Sequence, residues 1–242
     1  MPRMPAPPVM VVFGARNSGR AILAERLARG WRGLAVARSE ETLGRLREAH
    51  PEALTLRGDA SDPGSVAEAL ARAEADLGGL DLVVNAVTSA PRDQPFGGGP
   101  IAEAPAGRLD EWLGGFLDHA WQVMRLGGAA LARRGGGTLI QLAGGSARRG
   151  MPGRGSWAAA QFGARALTQS LAQEMRPQGV HVALLVLDGT IATDRNPMRE
   201  RPPQESISLD EVARAAGFLA DQGPRGWTHE LVVTPSLEPW VP

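Results

Sequence analysis

The sequence predicts an α/β domain built on a parallel sheet with right-handed crossovers, and three observations predict it. Short apolar runs of strand length recur along the chain. Between them lie longer stretches with apolar residues at helical spacing. The two patterns alternate from end to end, the order required when helices connect parallel strands. At 242 residues, 43% of them apolar, the chain accommodates one large domain with a substantial core.

The elements follow in order. Pro8–Gly14 (PVMVVFG) reads as a buried strand ending in glycine, and the helical pattern SGRAILAERLARG closes at Gly30. Gly33–Arg38 reads as the second strand; Ser39 then offers an N-cap to the helix SEETLGRLREAH. Ala53–Asp59 is the third strand, before a helix with an acidic, proline-containing start (SDPGSVAEALARAEADLG). Leu80–Val87 is the fourth strand. A long helix is predicted over roughly Leu109–Arg134, a strand over GTLIQLAG, and a second long helix over roughly Ser156–Met175. VHVALLVLDG, SLDEVARAAGFLAD and HELVVT complete the series as strand, helix and strand. Two irregular insertions, Pro91–Pro105 and Thr193–Ser206, follow strand carboxyl ends, where open α/β sheets bind ligands. Residues 1–7 are expected to form a disordered or extended tail ahead of a single domain over 1–242.

Composition excludes several function classes. Formal net charge is zero, which removes any electrostatic case for nucleic-acid or membrane-surface binding. The start MPRMPAPP lacks the apolar core of a signal peptide, and VALLVL is far too short to span a bilayer, so a cytoplasmic protein is expected. There is no Cys, Tyr or Lys. Thiolate chemistry, Schiff bases and a P-loop lysine are therefore excluded. No His/Asp/Glu cluster has metal-ligand spacing, and no metal is expected.

The first strand-to-helix turn, GARNSGRA, spans Gly14, Arg16, Asn17, Ser18 and Gly19. Such a turn offers free N–H groups and the positive end of a helix dipole to a phosphate. Gly14 and Gly19 have the outer spacing of a dinucleotide-binding glycine motif, but Arg16 stands at the middle glycine, where a side chain crowds a pyrophosphate. The alternative is a turn with no ligand. The second strand ends in Ala37-Arg38 rather than in the acid that binds an NAD ribose. Arg16 and Arg38 suit a 2′-phosphate, which favours NADP(H) over NAD(H); two solvated arginines are the plain alternative.

Taken in order, GARNSGRA, VARSEETL, GDASDP, GGLDLVVNA, GGGTLIQLAGGS, LTQSLAQEMRPQGVHV and LDGTIATD resemble the short-chain dehydrogenase/reductase family over nearly the whole chain, from Val9 to about Thr234. The resemblance implies a Rossmann fold, a doubly wound parallel sheet of about seven strands with helices on both faces. It assigns Asp59 and Ala60 to the adenine, Asn85 and Ala86 to support of the cofactor, and Thr193 to the nicotinamide carboxamide. It also implies a homodimer or homotetramer formed through the two long helices.

The positions that carry the family's chemistry depart from it. Gly144 stands where a carbonyl-binding Ser is expected, with Ser146 two residues on. The Tyr and Lys of the family's catalytic helix become Trp157 and Gln161. Trp has no acidic proton, and Gln bonds a ribose hydroxyl without carrying charge. By the same resemblance His119 replaces a structural Asn that interrupts the long helix and relays water; it is the titratable candidate for a proton donor. The remaining candidates are Ser146 as a carbonyl-polarising group, Trp157 as a stacking surface, and Arg148 and Arg149 as a pair for an acidic substrate, with turn, filler and solvated roles as alternatives. Three readings follow: an atypical NADPH-dependent oxidoreductase acting on a small-molecule carbonyl, a catalytically silent NADP(H)-binding or partner protein, and a non-redox enzyme with His119 as base.

Overall fold

The computed structural model describes residues 6–89, 91, 94–193 and 202–238. Its main sheet contains β1 (Val9–Phe13), β2 (Arg32–Ala37), β3 (Leu54–Arg57), β4 (Leu82–Asn85), β5 (Gly137–Gly144) and β6 (Val180–Leu187). Two short strands follow, β7 (Thr190–Ile191) and β8 (Ser206–Ile207), and then β9 (Glu230–Val233). The helices are α1 (Ser18–Ala28), α2 (Glu40–Ala49), α3 (Pro63–Leu77), α4 (Arg108–Arg133), α5 (Gly155–Met175) and α6 (Leu209–Ala220). Seven strands lie in the order β3-β2-β1-β4-β5-β6-β9, and every pairing is parallel. This is the parallel α/β sheet that the alternating pattern predicts, in the doubly wound, seven-stranded form that the resemblance implies.

Strand alternation sorts the core into two layers. Val9, Val11 and Phe13 face a cluster built with Val66 and Ala69 of α3, Trp112, Phe116 and Ala120 of α4, and Ala160 and Ala164 of α5. Met10 and Val12 face the other way, onto Ile22 and Leu23 of α1, Leu43 and Leu46 of α2, and Val212 and Leu219 of α6. All five residues of β1 are buried, as expected of a strand covered on both faces. Each fully buried Val, Leu or Ile contributes roughly 1.5–3 kcal/mol, so this double coverage holds the sheet rigid behind its carboxyl edge.

The chain leaves β1 toward β2 on one side, while β4 pairs on the other, so the strand order reverses between β1 and β4. A ligand crevice opens at such a switch point. Gly14 ends β1 there with φ +81°. A Cβ at Gly14 would stand 2.6 Å from the backbone of Ala86 and Val87, so a side chain is excluded both by conformation and by space.

The sequence misses three local features. Thr190–Ile191 and Ser206–Ile207 pair in parallel as a separate two-stranded sheet, and Ile101–Glu103 forms a 3₁₀ turn in the first insertion. Two- and three-residue elements carry no periodicity to read. α4 runs unbroken through His119, so the interruption implied by the resemblance is absent. Residues 1–5 of the expected tail, and residues 194–201 of the second insertion, lie outside the described residues.

Candidate functional site

Two adjoining cavities open along the carboxyl edge of the sheet. The first, of about 650 Å³, is bounded by the turn after β1 (Gly14, Arg16, Asn17, Ser18), the end of β2 (Ala37, Arg38, Ser39) and the end of β3 (Asp59, Ala60), with Thr88 and Thr193 at its far side. The second, of about 510 Å³, lies over β5 and α5. Ser18, Ala86, Thr88 and Ile191 line both, so the two form one continuous trough.

The first cavity has the features a phosphate needs. α2, α3 and α6 are capped at their N-termini by the side chains of Ser39, Asp62 and Ser208. The N-terminus of α1 has no side-chain cap and no acidic residue in its first turn, and it opens on the cavity at Asn17 and Ser18. Its first-turn amides are thus left for a bound anion. Gly19 closes the turn: a Cβ there would stand 2.7 Å from the Gly14 carbonyl oxygen. Arg16 is exposed beside this turn. Arg38 is also mostly exposed, and its guanidinium lies 3.7 Å from the Asp59 carboxylate. Gly14, Arg16, Asn17, Ser18, Arg38, Asp59, Ala60, Ala86 and Thr193 therefore come together along one cavity.

Asn85 does not reach either cavity lining. Its side chain is fully buried, and its amide nitrogen donates to Gln141 Oε1 at 2.8 Å and lies 3.2 Å from His119 Nδ1. The amide oxygen accepts from the Val87 N–H at 3.3 Å, and Gln141 in turn donates to the Leu142 carbonyl. Asn85 thus shapes the Ala86–Thr88 wall from behind. His119 belongs to the same buried group. Asn85 holds Nδ1 as an acceptor, which leaves the proton of the neutral ring on Nε2, and Nε2 meets no hydrogen-bond partner among the described residues. Burial pulls the His119 pKa down to about 4. The helix face matters here: Phe116, one turn earlier, lines the second cavity, whereas His119 lies behind it, ring to ring at 4.9 Å. The expected proton donor is therefore shut off from the trough and uncharged at neutral pH.

The second cavity collects Gly144, Ser146, Trp157 and Gln161. Ser146 sits in a short 3₁₀ turn after β5 and is nearly buried. Gln161 is buried, and its Oε1 accepts the Gly144 N–H at 2.9 Å, which commits its oxygen and leaves Nε2 as the available donor. Trp157 packs among Phe96, Trp112 and Phe116 at centroid distances of 5.9, 5.4 and 5.1 Å. Close approach of the two long helices permits this: a Cβ on Gly163 of α5 would stand 3.0 Å from Leu117 of α4. Trp157 thus both fills space and forms cavity wall.

Arg148 and Arg149 are not a solvated pair. Arg149 lines the cavity and binds the buried Asp188 carboxylate, with Glu238 at 3.6 Å; Arg148 turns away toward Glu230. Sequence reasoning, which noted Asp188-Gly189 only as standing where the family usually has Pro-Gly, gave no role to Asp188, Phe96 or Arg154, all of which line this cavity. Asp188 had a signal, since an Asp-Gly stands at a strand end. The first insertion had one too, in the run Gly97-Gly98-Gly99. All three have positive φ, and the insertion lies directly on the start of α5: Trp157 N–H donates to the Gly97 carbonyl and Gly99 N–H to that of Gly153. A Cβ at Gly97 would stand 2.7 Å from Arg154. That contact sets Phe96 over the cavity.

Comparisons with known proteins agree with this architecture. A family model for short chain dehydrogenases matches residues 8–203. Curated relatives include the cis-4-hydroxycyclohexanecarboxylate dehydrogenase of Sinomonas cyclohexanicum, 30% identical over 88% of each chain. The acetoacetyl-CoA reductase of Rhizobium meliloti is 26% identical over 87% of this chain and 89% of its own. Among solved structures, a gluconate 5-dehydrogenase from Burkholderia cenocepacia in complex with NADP and tartrate superposes with a TM-score of 0.81 at 19% identity, covering 98% of this chain and 97% of that one. An alcohol dehydrogenase from Thermococcus sibiricus complexed with 5-hydroxy-NADP gives 0.79 at 22% identity, covering 97% and 99%. At such identities the structural likeness speaks for the fold alone.

Proposed function

The chain belongs to the short-chain dehydrogenase family, and from that premise we propose that it binds NADP(H) along the first cavity and, in the second, reduces a small-molecule carbonyl or oxidises the matching alcohol without a phenol as acid. The observation that carries this reading is the continuity of the two cavities at Ser18, Ala86, Thr88 and Ile191. Ser18, Ala86, Thr88 and Ile191 at that junction would hold the nicotinamide end of a dinucleotide whose adenosine end lay at Arg38.

The residues present fit such a ligand. The uncapped start of α1 supplies amides to the pyrophosphate, and Gly14 lets the backbone approach it. Arg16 and Arg38 supply guanidinium groups for a 2′-phosphate, and the end of β2 carries no acid to repel one. When bound, the reduced cofactor supplies a hydride to the carbonyl carbon. The chain's own residues then orient and polarise. Phe96, Phe116 and Trp157 wall the substrate; Ser146 Oγ and Gln161 Nε2 donate hydrogen bonds to the carbonyl oxygen; the proton comes from solvent. Losing a general acid costs roughly 10²–10⁴ in rate, whereas holding reactants in place is worth effective molarities up to about 10⁵–10⁸ M. Slow turnover is the consequence.

A second reading, binding without turnover, is favoured by one observation: no Tyr, Lys or His is among the described residues lining either cavity. A non-redox reaction using His119 as base loses its support, because His119 is closed off behind Phe116. Thermal-shift titration with NADPH and NADH, followed by a carbonyl panel with NADPH absorbance as readout, tests the proposal. Stabilisation by NADPH with slow oxidation supports it; stabilisation without oxidation supports the second reading; no shift with either nucleotide overturns both.

A further inference from the structure

We infer that the second cavity takes a flat, apolar ring compound carrying a carboxylate, with Arg154 as the counter-ion; this rests on the reading that the cavity is the substrate site.

The charges in the cavity are unevenly matched. Two arginines, Arg149 and Arg154, and two carboxylates, Asp188 and Glu238, line it. Both carboxylates converge on Arg149. Arg154 makes no ion pair among the described residues. Its guanidinium contacts are the Met151 sulfur at 3.9 Å and the face of Phe96, at 5.2 Å from the ring centroid. A cation stacked on an aromatic ring keeps its hydrogen-bonding edge free for a planar anion.

The position of Arg154 is fixed by backbone, not by chance rotamer choice. It precedes α5, bridges in parallel to Gly99, and lies against Gly97, which has no room for a side chain. α5 itself starts there with no side-chain cap and no acidic residue in its first turn, so its dipole reinforces the positive charge. The rings of Phe96, Phe116 and Trp157 and the Met151 side chain line the same cavity, with Phe96 and Met151 against Arg154 itself. Aromatic walls select a flat apolar body, and the 510 Å³ volume suits one or two rings. The substrate class therefore follows from the wall together with a cation that has no ion-pair partner among the described residues.

The test compares 2-naphthoate with its neutral isostere 2-naphthamide, by quenching of tryptophan fluorescence and by thermal shift, on the full chain with and without NADPH. Wild-type protein is expected to bind the carboxylate at least about tenfold more tightly than the amide. Arg154→Gln is expected to equalise the two, Arg154→Lys to keep part of the preference, and Arg214→Gln, an exposed arginine on α6, to keep all of it. Equal binding of both probes by wild-type protein overturns the inference and needs no variant. So does an unchanged preference in Arg154→Gln. NADPH binding is read in the same titrations. Carboxylate preference that depends on Arg154 with no nucleotide shift would sink the proposed cofactor and leave the cavity's ligand class standing.

Discussion

Gln161 Oε1 accepts a hydrogen bond from the Gly144 backbone N–H at 2.9 Å, so the two residues that replace the expected lysine and serine are bonded to each other. The bond ties the end of β5 to the second turn of α5 within the cavity wall. Gln161 is buried and Gly144 half-buried, so removing the acceptor leaves the Gly144 N–H without its protein partner, at a cost of at most about 1–3 kcal/mol. Gln161→Leu is expected to lower unfolding stability by up to that amount in urea titrations.

Restoring the family's groups is expected to restore its chemistry. A Cβ at Gly144 meets nothing within 4 Å, and the backbone there (φ −95°, ψ 175°) suits any residue. Tyr is smaller than the Trp157 it replaces. The triple variant Gly144→Ser, Trp157→Tyr, Gln161→Lys should raise NADPH-dependent turnover by about 10²–10⁴, the usual worth of a positioned acid. An unchanged rate, with the variant folded and binding NADPH, would mean that the hydride geometry itself is missing.

Arg38 tests the cofactor preference. Its side chain is exposed and loosely paired with Asp59, so its removal disturbs little else. A hydrogen-bonded charge pair with a phosphate is worth about 1.5–3 kcal/mol. Arg38→Ala should therefore weaken NADPH by about 10–100-fold and leave NADH nearly unchanged, as read by isothermal titration. Equal losses for both nucleotides would remove Arg38 from 2′-phosphate recognition.

The fold was legible because strands buried on both faces read as unbroken apolar runs, as in VMVVF of β1 and VALLVL of β6, and because Ser39 caps α2 where the sequence places a cap. The first cavity was legible for the same reason: Gly14, Arg38, Asp59 and Ala86 each terminate or follow a strand, so strand order alone assembles them. His119 was not legible. Which residue of a long helix meets the cavity is decided by a rotation of about 60°, the angle between positions three apart, and it favours Phe116. Arg154 and Phe96 were hidden for another reason: the three glycines that dock the insertion onto α5 act through backbone conformation, which leaves no hydrophobic period.

His119 carries a pH signature even without a catalytic role. Burial holds its pKa at about 4, against an ordinary value near 6.5. Between pH 6.5 and 4 the unfolded chain binds the proton more readily than the folded one. Stability is therefore intact above pH 6.5 and falls as pH drops through that window, by at most about 3 kcal/mol from this residue. Burial lowers the pKa of His181 as well, which adds to the same loss. His119→Gln should flatten the difference between urea midpoints at pH 7 and pH 5 relative to wild type. A variant with the wild-type slope would show that His119 titrates normally in the folded protein.

The self-association expected through the two long helices can be tested at two exposed aromatic side chains. Trp121 of α4 is 50% exposed and Phe162 of α5 is 42% exposed, on helices that pack together to form one face of the domain. In a two-fold interface each residue appears twice, so two exposed aromatics contribute four buried side chains. At roughly 1.5–3 kcal/mol for each large apolar group, their burial accounts for a substantial part of a stable dimer's affinity. The wild-type chain is expected to sediment as a dimer or tetramer and to show a melting temperature that rises with protein concentration. Trp121→Asp combined with Phe162→Asp should give a monomer whose melting temperature no longer depends on concentration. Phe218→Asp, on α6 with 55% exposure, should leave the assembly intact, because α6 covers the opposite face of the sheet. Dissociation by the α6 variant, with none from the α4–α5 pair, would move the interface to that opposite face.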